Sequence, residues 1–261
     1  MLIIGERING QFTSVGKAID DRDEKYIQEL ALSQEKAGAH YLDVNTGPGR
    51  DDGPACMEWL VKTVQAVTDV RISIDAPGPQ TAEAGAKACD QPPIINSTTA
   101  VPSKMEKFFP MAREYGADLV CLTIDEKGIP NDADSRAELA MLLLTTAMEN
   151  EVMPEKLFID PVILPVGAAQ DQGKVVIESV RNCRLLNDPP VRTIVGLSNV
   201  SNMAKERSLL NRTFLAMLMG AGLTGAILDP EDREIMKIIK AGEILLNEAL
   251  YCDDFLMDLR K

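Results

Sequence analysis

The chain has 261 residues, 45% of them hydrophobic and 26% charged, with a formal net charge of −13. That size and apolar content suit one globular domain with a large buried core, expected over residues 1–261. The excess of acids, with Lys and Arg scattered among them, argues against nucleic-acid binding, which needs clustered cations to neutralise phosphates.

A short apolar run at residues 2–4 opens a regular alternation. A helical pattern over 24–37 follows, with Ile27, Leu30 and Ala31 on one face and Gly38 placed to end it. Strand 41–44 precedes helix 55–67, and strand 72–74 precedes an Ala-rich helix over 80–89. Strand 93–95 leads to helix 103–115, and strand 119–122 to helix 135–148. Ser103 with Glu106, and Ser135 with Glu138, have the spacing of capping boxes. Strand 157–159 then precedes helix 175–186, strand 193–195 precedes helix 210–219, and strand 226–228 precedes helix 233–246. Runs this short and this continuously apolar fit strands buried on both faces of a parallel sheet. Eight such strand–helix units predict the α/β class and a (β/α)8 TIM barrel. A doubly wound sheet is the alternative, and no GxGxxG follows a strand to support it.

The opening MLIIGERING is too short an apolar run for a secretory signal, and no segment reaches the roughly 18 apolar residues of a membrane span. A cytoplasmic protein is therefore expected. Cys56, Cys89, Cys121, Cys183 and Cys252 are widely spaced and odd in number, so reduced thiols, mostly in the core, are expected. With His40 as the only histidine and no CxxC pair, no protein zinc site is expected.

In a barrel of this kind functional groups stand where strands run into the following loops. Those positions are polar in seven of the eight predicted strands. After the first come Glu6, Arg7 and Asn9; the second carries Asp43 and Asn45; Asp75, Asn96 and Asp160 end the third, fourth and sixth; Ser198 and Asn199 follow the seventh; Asp229 ends the eighth. For any one of them a loop cap is a sufficient explanation. For the set, repeated carboxylates and carboxamides with few cations suit a flat, nitrogen-rich heterocycle better than a phosphate-rich ligand.

The blocks GERING at Gly5, LDVNTGPG at Leu42, IDAP at Ile74, INSTTA at Ile95, IDPVILP at Ile159, GLSNVS at Gly196 and NRTFL at Asn211 run in order through nearly the whole chain. In them the sequence resembles the pterin-binding methyltransferases, which include methyltetrahydrofolate:corrinoid protein methyltransferases and the folate domain of cobalamin-dependent methionine synthase. The resemblance implies that Asp75, Asn96 and Asp160 bond the pterin ring and that Gly196 and Ser198 line the folate site. It further implies that Asn199 reaches N5, the atom that carries the methyl group, and that residues 201–207, including Asn202 and Arg207, face the corrinoid. Asn202 stands where a longer Gln is expected in one branch, and Met203 and Lys205 also depart from it. Asn199 does not titrate, so Asp160 or a water is expected to complete the proton path to N5.

The implied reaction moves a methyl group between tetrahydrofolate and the cobalt of a corrinoid. No Asp-x-His-x-x-Gly element is present, so a separate corrinoid protein is the expected partner. The resemblance also implies a homodimer, and the departures near Asn202 lean towards an O-demethylase system rather than acetyl-CoA synthesis. The alternatives are a dihydropteroate synthase-like condensing enzyme, for which the basic Ser-x-Arg type element is missing from residues 226–233, and a non-catalytic pterin-binding barrel.

Overall fold

The computed structural model describes residues 1–252; residues 253–261 of the expected domain lie outside the described residues. Each apolar run becomes a strand: β1 (Leu2–Asn9), β2 (Tyr41–Asn45), β3 (Arg71–Asp75), β4 (Ile94–Thr99), β5 (Asp118–Leu122), β6 (Leu157–Asp160), β7 (Arg192–Gly196) and β8 (Gly225–Leu228). They pair in sequence order, all parallel, and β8 returns to β1 to close the barrel. This is the (β/α)8 barrel expected from the alternation. β1 runs further than the apolar triplet, so Glu6, Arg7 and Asn9 belong to the strand itself rather than to the loop after it.

Between the strands lie α1 (Thr13–Asp20), α2 (Glu24–Lys36), α3 (Gly53–Gln65), α4 (Pro79–Ala88), α5 (Pro102–Glu114), α6 (Ala133–Glu149), α7 (Gln172–Cys183), α8 (Arg207–Ala221) and α9 (Arg233–Leu245). α1 lies outside the eight strand–helix units that the sequence predicts. It is a short, Gly16-containing segment with weak intrinsic propensity, held by burying Val15, Ala18 and Ile19. Gly38 sits at φ +98 just past α2, as its C′ role requires. Both expected capping boxes are corrected. α5 starts at Pro102 behind Val101, and α6 is capped by Asp132, whose side chain accepts from Ser135 N at 2.8 Å. Ser103 and Ser135 therefore lie inside their helices, because a preceding Pro and a preceding Asp set the boundaries first.

Alternation along the strands builds two apolar layers. Leu42, Val44, Ile72, Ile74, Ile95, Leu119, Cys121, Leu157 and Ile159 point outward into the helices, and Val195, Ala226 and Leu228 do so on the other flank. Ile4, Tyr41, Ile94, Val120, Phe158 and Ile194 fill the barrel axis. At the N-terminal end the axis is plugged by Arg71 stacked 4.8 Å over Tyr41 and Arg192 stacked 3.8 Å over Phe158, with Arg192 paired to Asp118 at 3.0 Å. Cys56, Cys121 and Cys183 are buried and all five cysteines are free, as expected. Among the described residues no helix is long and apolar enough to cross a membrane.

Candidate active site

Strand parity decides what the barrel presents at its C-terminal mouth. Two positions beyond the residues that fill the axis come Glu6, Asp43, Asn96, Asp160 and Gly196, facing the same interior. Register extends the row, because Asn45 pairs with Asp75 and Asp75 with Asn96. On the far side Leu122 pairs with Asp160 and Ile227 with Gly196, so β5 and β8 contribute apolar side chains there.

The polar groups of β2, β3 and β4 interlock. Asp43, only 4% exposed, accepts through one oxygen from Ser73 Oγ at 2.6 Å and from Asn96 Nδ2 at 3.2 Å. Asn45 Nδ2 donates to Asp75 at 2.6 Å while its own carbonyl accepts from Gly47 N at 2.7 Å, which fixes the amide's orientation. Across the mouth Asp160, 7% exposed, accepts from Val162 N at 2.7 Å through Oδ1. Val162 stands at φ +64, a strained conformation for a β-branched residue, so the Asp160 side chain braces the turn it opens.

The third group lies on the short 3-10 turn after β7, Leu197–Ser201. Ser198 Oγ donates to Glu6 at 2.6 Å, bridging β7 back to β1. Asn199 is exposed and accepts from Asn202 Nδ2 at 3.5 Å, and Asn202 in turn accepts from Arg207 Nη2 at 3.4 Å. The chain of donors orients Asn199 with its NH2 towards Gly196, where a Cβ would stand 3.0 Å from that nitrogen. Gly196 is thus needed for close approach of Asn199 as well as of a ring.

Burial dominates the electrostatics. It pushes Glu6 up to about 7, with Asp229 adding repulsion and the Ser198 hydrogen bond opposing it. It pushes Asp160 up to about 7 against the Val162 N–H and the Arg136 charge. Asp43 is raised well above the ordinary carboxyl range by burial and then by Asp75, and Asp75 is raised by burial against the Asn45 hydrogen bond. The cation nearest on β1, Arg7, is engaged with Asp229 at 3.2 Å and Glu231 at 2.6 Å. A mouth of this kind has a surplus of acceptors and protons that move near neutral pH, and it suits a flat ring bearing N–H donors.

Asp75, Asn96, Asp160, Gly196, Ser198 and Asn199 thus all stand at the C-terminal rim, with Asn202 and Arg207 beside Asn199. The structure joins Asp75 to Asn45, Asn96 to Asp43 and Ser198 to Glu6, whereas Asp160 is held by its own turn. Glu6 and Asp43 stand at the rim in the sequence pattern, but the family resemblance assigns them no part in the site. Their spacing of two from Ile4 and Tyr41 was the available signal.

The profile of a family described as "Pterin binding enzyme" matches residues 7–229. The chain is 31% identical to a methylcorrinoid:tetrahydrofolate methyltransferase of Eubacterium limosum, over 97% of this chain and 93% of that one. It is 29% identical to methionine synthase of Mycobacterium tuberculosis over 100% of this chain and 22% of that much longer protein. Among solved structures it is similar to a Yersinia pestis DHPS with a pterine-sulfa conjugate, at TM-score 0.69 and 13% identity, covering 95% and 94% of the two chains. Dihydropteroate synthase from Xanthomonas albilineans with 7,8-dihydropteroate gives TM-score 0.66 and 12% identity, covering 96% and 94%. At such identities these two structures speak to the fold alone.

Proposed function

The chain belongs to the pterin-binding enzyme family, and from that premise we propose that it transfers a methyl group between a corrinoid held by a separate protein and N5 of tetrahydrofolate. The observation that carries this reading is the buried, cation-poor ring of carboxyls facing the exposed Asn199 amide, in a chain that aligns end to end with a methyltransferase of that description. The ring accounts for a pterin, whose N–H groups supply the donors that Asp75 and Asp160 lack, while the Asn96 amide serves a ring acceptor. Asp160 keeps one oxygen on Val162 N and offers the other to the ligand. Gly196 and Ser198 line the folate site, and Asn199 stands at N5.

Transfer to the folate requires the N5 lone pair to attack the methyl group and the N5 proton then to depart; the reverse requires N5 to be protonated as the methyl leaves. Asn199 does not titrate, but its NH2 is free of the Asn202 bond and bonds N5, stabilising the geometry of transfer rather than the ground state. Asp160, pushed up to about 7, both holds and releases a proton in the working range. Asn202 and Arg207 orient Asn199 and lie on the surface that a corrinoid protein must approach.

We read residues 1–261 as one domain acting as a cytoplasmic homodimer in an O-demethylase system, with methylcorrinoid as donor. The dimer reading is supported by an apolar cavity of about 280 Å3 between α7 and α8, lined by Ile177, Phe214 and Met217. Anaerobic spectroscopy of cob(I)alamin with methyltetrahydrofolate and the enzyme tests the activity. Appearance of methylcobalamin, reversed by excess tetrahydrofolate, is expected; folate binding without any transfer, with the cognate corrinoid protein also present, overturns the catalytic reading. Sedimentation equilibrium showing only monomer at micromolar concentration overturns the dimer.

A further inference from the structure

The largest fully buried side chain is not apolar. Arg136, in the first turn of α6, is 0% exposed, and among the described residues no carboxylate forms a contact ion pair with it. A buried guanidinium with no salt bridge is costly, so its retention asks for a reason. Its hydrogen bonds supply one. Nε donates to Pro130 O at 2.9 Å, Nη1 to Val162 O at 3.4 Å and Nη2 to Gln172 Oε1 at 2.5 Å. Gln172, 4% exposed, donates onward to Asn131 O at 3.1 Å.

These acceptors belong to two different rim segments. Residues 130–131 lie in the loop between β5 and α6, Val162 in the loop after β6, and Gln172 at the start of α7. Val162 is the strained residue whose N–H is bonded to Asp160. The Asp160 carboxyl and the Arg136 guanidinium therefore grip opposite ends of one residue, the carboxyl on its N–H and the guanidinium on its carbonyl.

We propose that Arg136 is the positioning residue of the ligand-binding mouth, a buried clamp that ties the β5–α6 and β6–α7 loops together and aims Asp160. This rests on the assignment of Asp160 to the pterin. The clamp has a second effect through charge. Arg136 acts on Asp160 across the turn and opposes the rise that burial imposes, so it keeps a larger fraction of Asp160 as the carboxylate that ring N–H groups need. Arg136 in turn is lowered by burial and raised by Asp160 and Asp132, and remains a cation. The other titratable groups facing this pair are Asp132 at the α6 N-cap, Asp171 beside Gln172, and Cys183 on α7, which Asp160 pushes further up. A guanidinium is required because an ammonium has no planar fork to reach all three acceptors at once.

The test needs no ligand. The Asp160 carboxyl is titrated by 13C NMR in the free protein, assigned by its loss in Asp160→Asn, and exchange of the Val162 amide is followed in parallel. Arg136→Met is expected to move the Asp160 midpoint up by roughly one pH unit and to speed Val162 exchange about tenfold or more. Arg136→Lys keeps the charge and loses the fork, so it is expected to leave the midpoint near the wild-type value while still speeding exchange. If Arg136→Met does not fold, Arg136→Lys decides alone: Val162 exchange unchanged in the folded variant overturns the clamp. A folded Arg136→Met with an unmoved midpoint overturns the charge effect. Tetrahydrofolate affinity is then read on the same variants, and a wild-type protein that fails to bind it refutes the pterin assignment while leaving the clamp standing on its ligand-free measurements.

Discussion

Replacing Asp160 by Asn should stabilise the free protein at alkaline pH while weakening ligand binding. Burial holds the carboxyl at about 7 instead of 3.8, so ionising it in the folded state costs about 4 kcal/mol more than in the unfolded chain at 1.36 kcal/mol per unit. The sign follows from the raised value. Between pH 4 and 7 the folded state binds the extra proton, so stability falls as pH rises through that window and is level above it. Asparagine keeps an oxygen for Val162 N but loses the charge on that bond, which offsets about 1 kcal/mol. Asp160→Asn is therefore expected to gain about 3 kcal/mol at pH 8, or about 6–12 °C in Tm, falling to about 1 kcal/mol at pH 5.5. Differential scanning calorimetry of the ligand-free protein at the two pH values measures it. A variant no more stable than wild type at pH 8, or a difference that does not change with pH, refutes the claim that Asp160 is held largely by burial.

Three further outcomes are expected. Asn199→Ala should lower the rate of methyl transfer by on the order of 10²–10³ with little change in folate affinity, whereas Asp75→Ala should weaken folate binding about 10- to 100-fold; single-turnover rates and equilibrium titration separate the two, and equal losses of affinity contradict the roles. Gly196→Ala should leave the fold intact but displace Asn199, since the new methyl group would stand 3.0 Å from its nitrogen; a rate loss of about tenfold at unchanged Tm is expected, and unchanged turnover would remove Asn199 from the reacting centre. Because ring N–H donors favour the charged carboxylate, tetrahydrofolate binding near pH 7 should release protons from Asp160, and the release should vanish in Asp160→Asn and fade above pH 8; calorimetry in buffers of different ionisation enthalpy reads it, and proton uptake would reverse the assignment.

The barrel was legible because every strand is marked by an apolar run and seven of the eight also by polar residues at or just past the end of that run. Leu157-Phe158-Ile159 followed by Asp160 is such a unit, and parity alone then places Asp160 beyond Phe158 on the barrel axis. Less local features were hidden. α1 has no propensity of its own and depends on burying Val15 and Ile19, contacts that the sequence does not reveal. Ser103 and Ser135 mimicked caps because Pro102 and Asp132 compete for the same boundary and win. Glu6 could be placed at the rim, but its bond to Ser198 joins residues 192 positions apart. Arg136 gave no signal at all: an arginine near a helix start reads as a solvent-facing residue, and only the packing of two distant loops over it makes it central.

A gradient of depth across the mouth links the fold to the proposed chemistry. Asp43 and Asp160 are almost wholly buried, whereas Asn199, one short turn past β7, is exposed. Recognition of a ring gains from burial, since each ligand N–H then meets an acceptor with no competing water and the carboxyls recover the charge that desolvation denies them. Delivery of a methyl group to a second protein demands the opposite, because a reactive atom sunk to the level of Asp160 would be out of reach of a cofactor carried on another surface. The barrel meets both demands by drawing its ring contacts from strand ends, the acceptors of β3 and β6 and the amide of β4, and its contact to the reacting nitrogen from the 3-10 turn above β7. The same logic gives the engagement of the cations beside the carboxyls a positive role: with Arg7 held by Asp229 and Glu231, Arg136 closed off beneath Asp160, and Arg207 out on the Asn199 side bonded to Ser198 O and Asn202, an anionic ligand finds little next to the ring to neutralise it. Selection for a neutral, N–H-rich heterocycle thus follows from where the arginines are tied down as much as from where the carboxylates point.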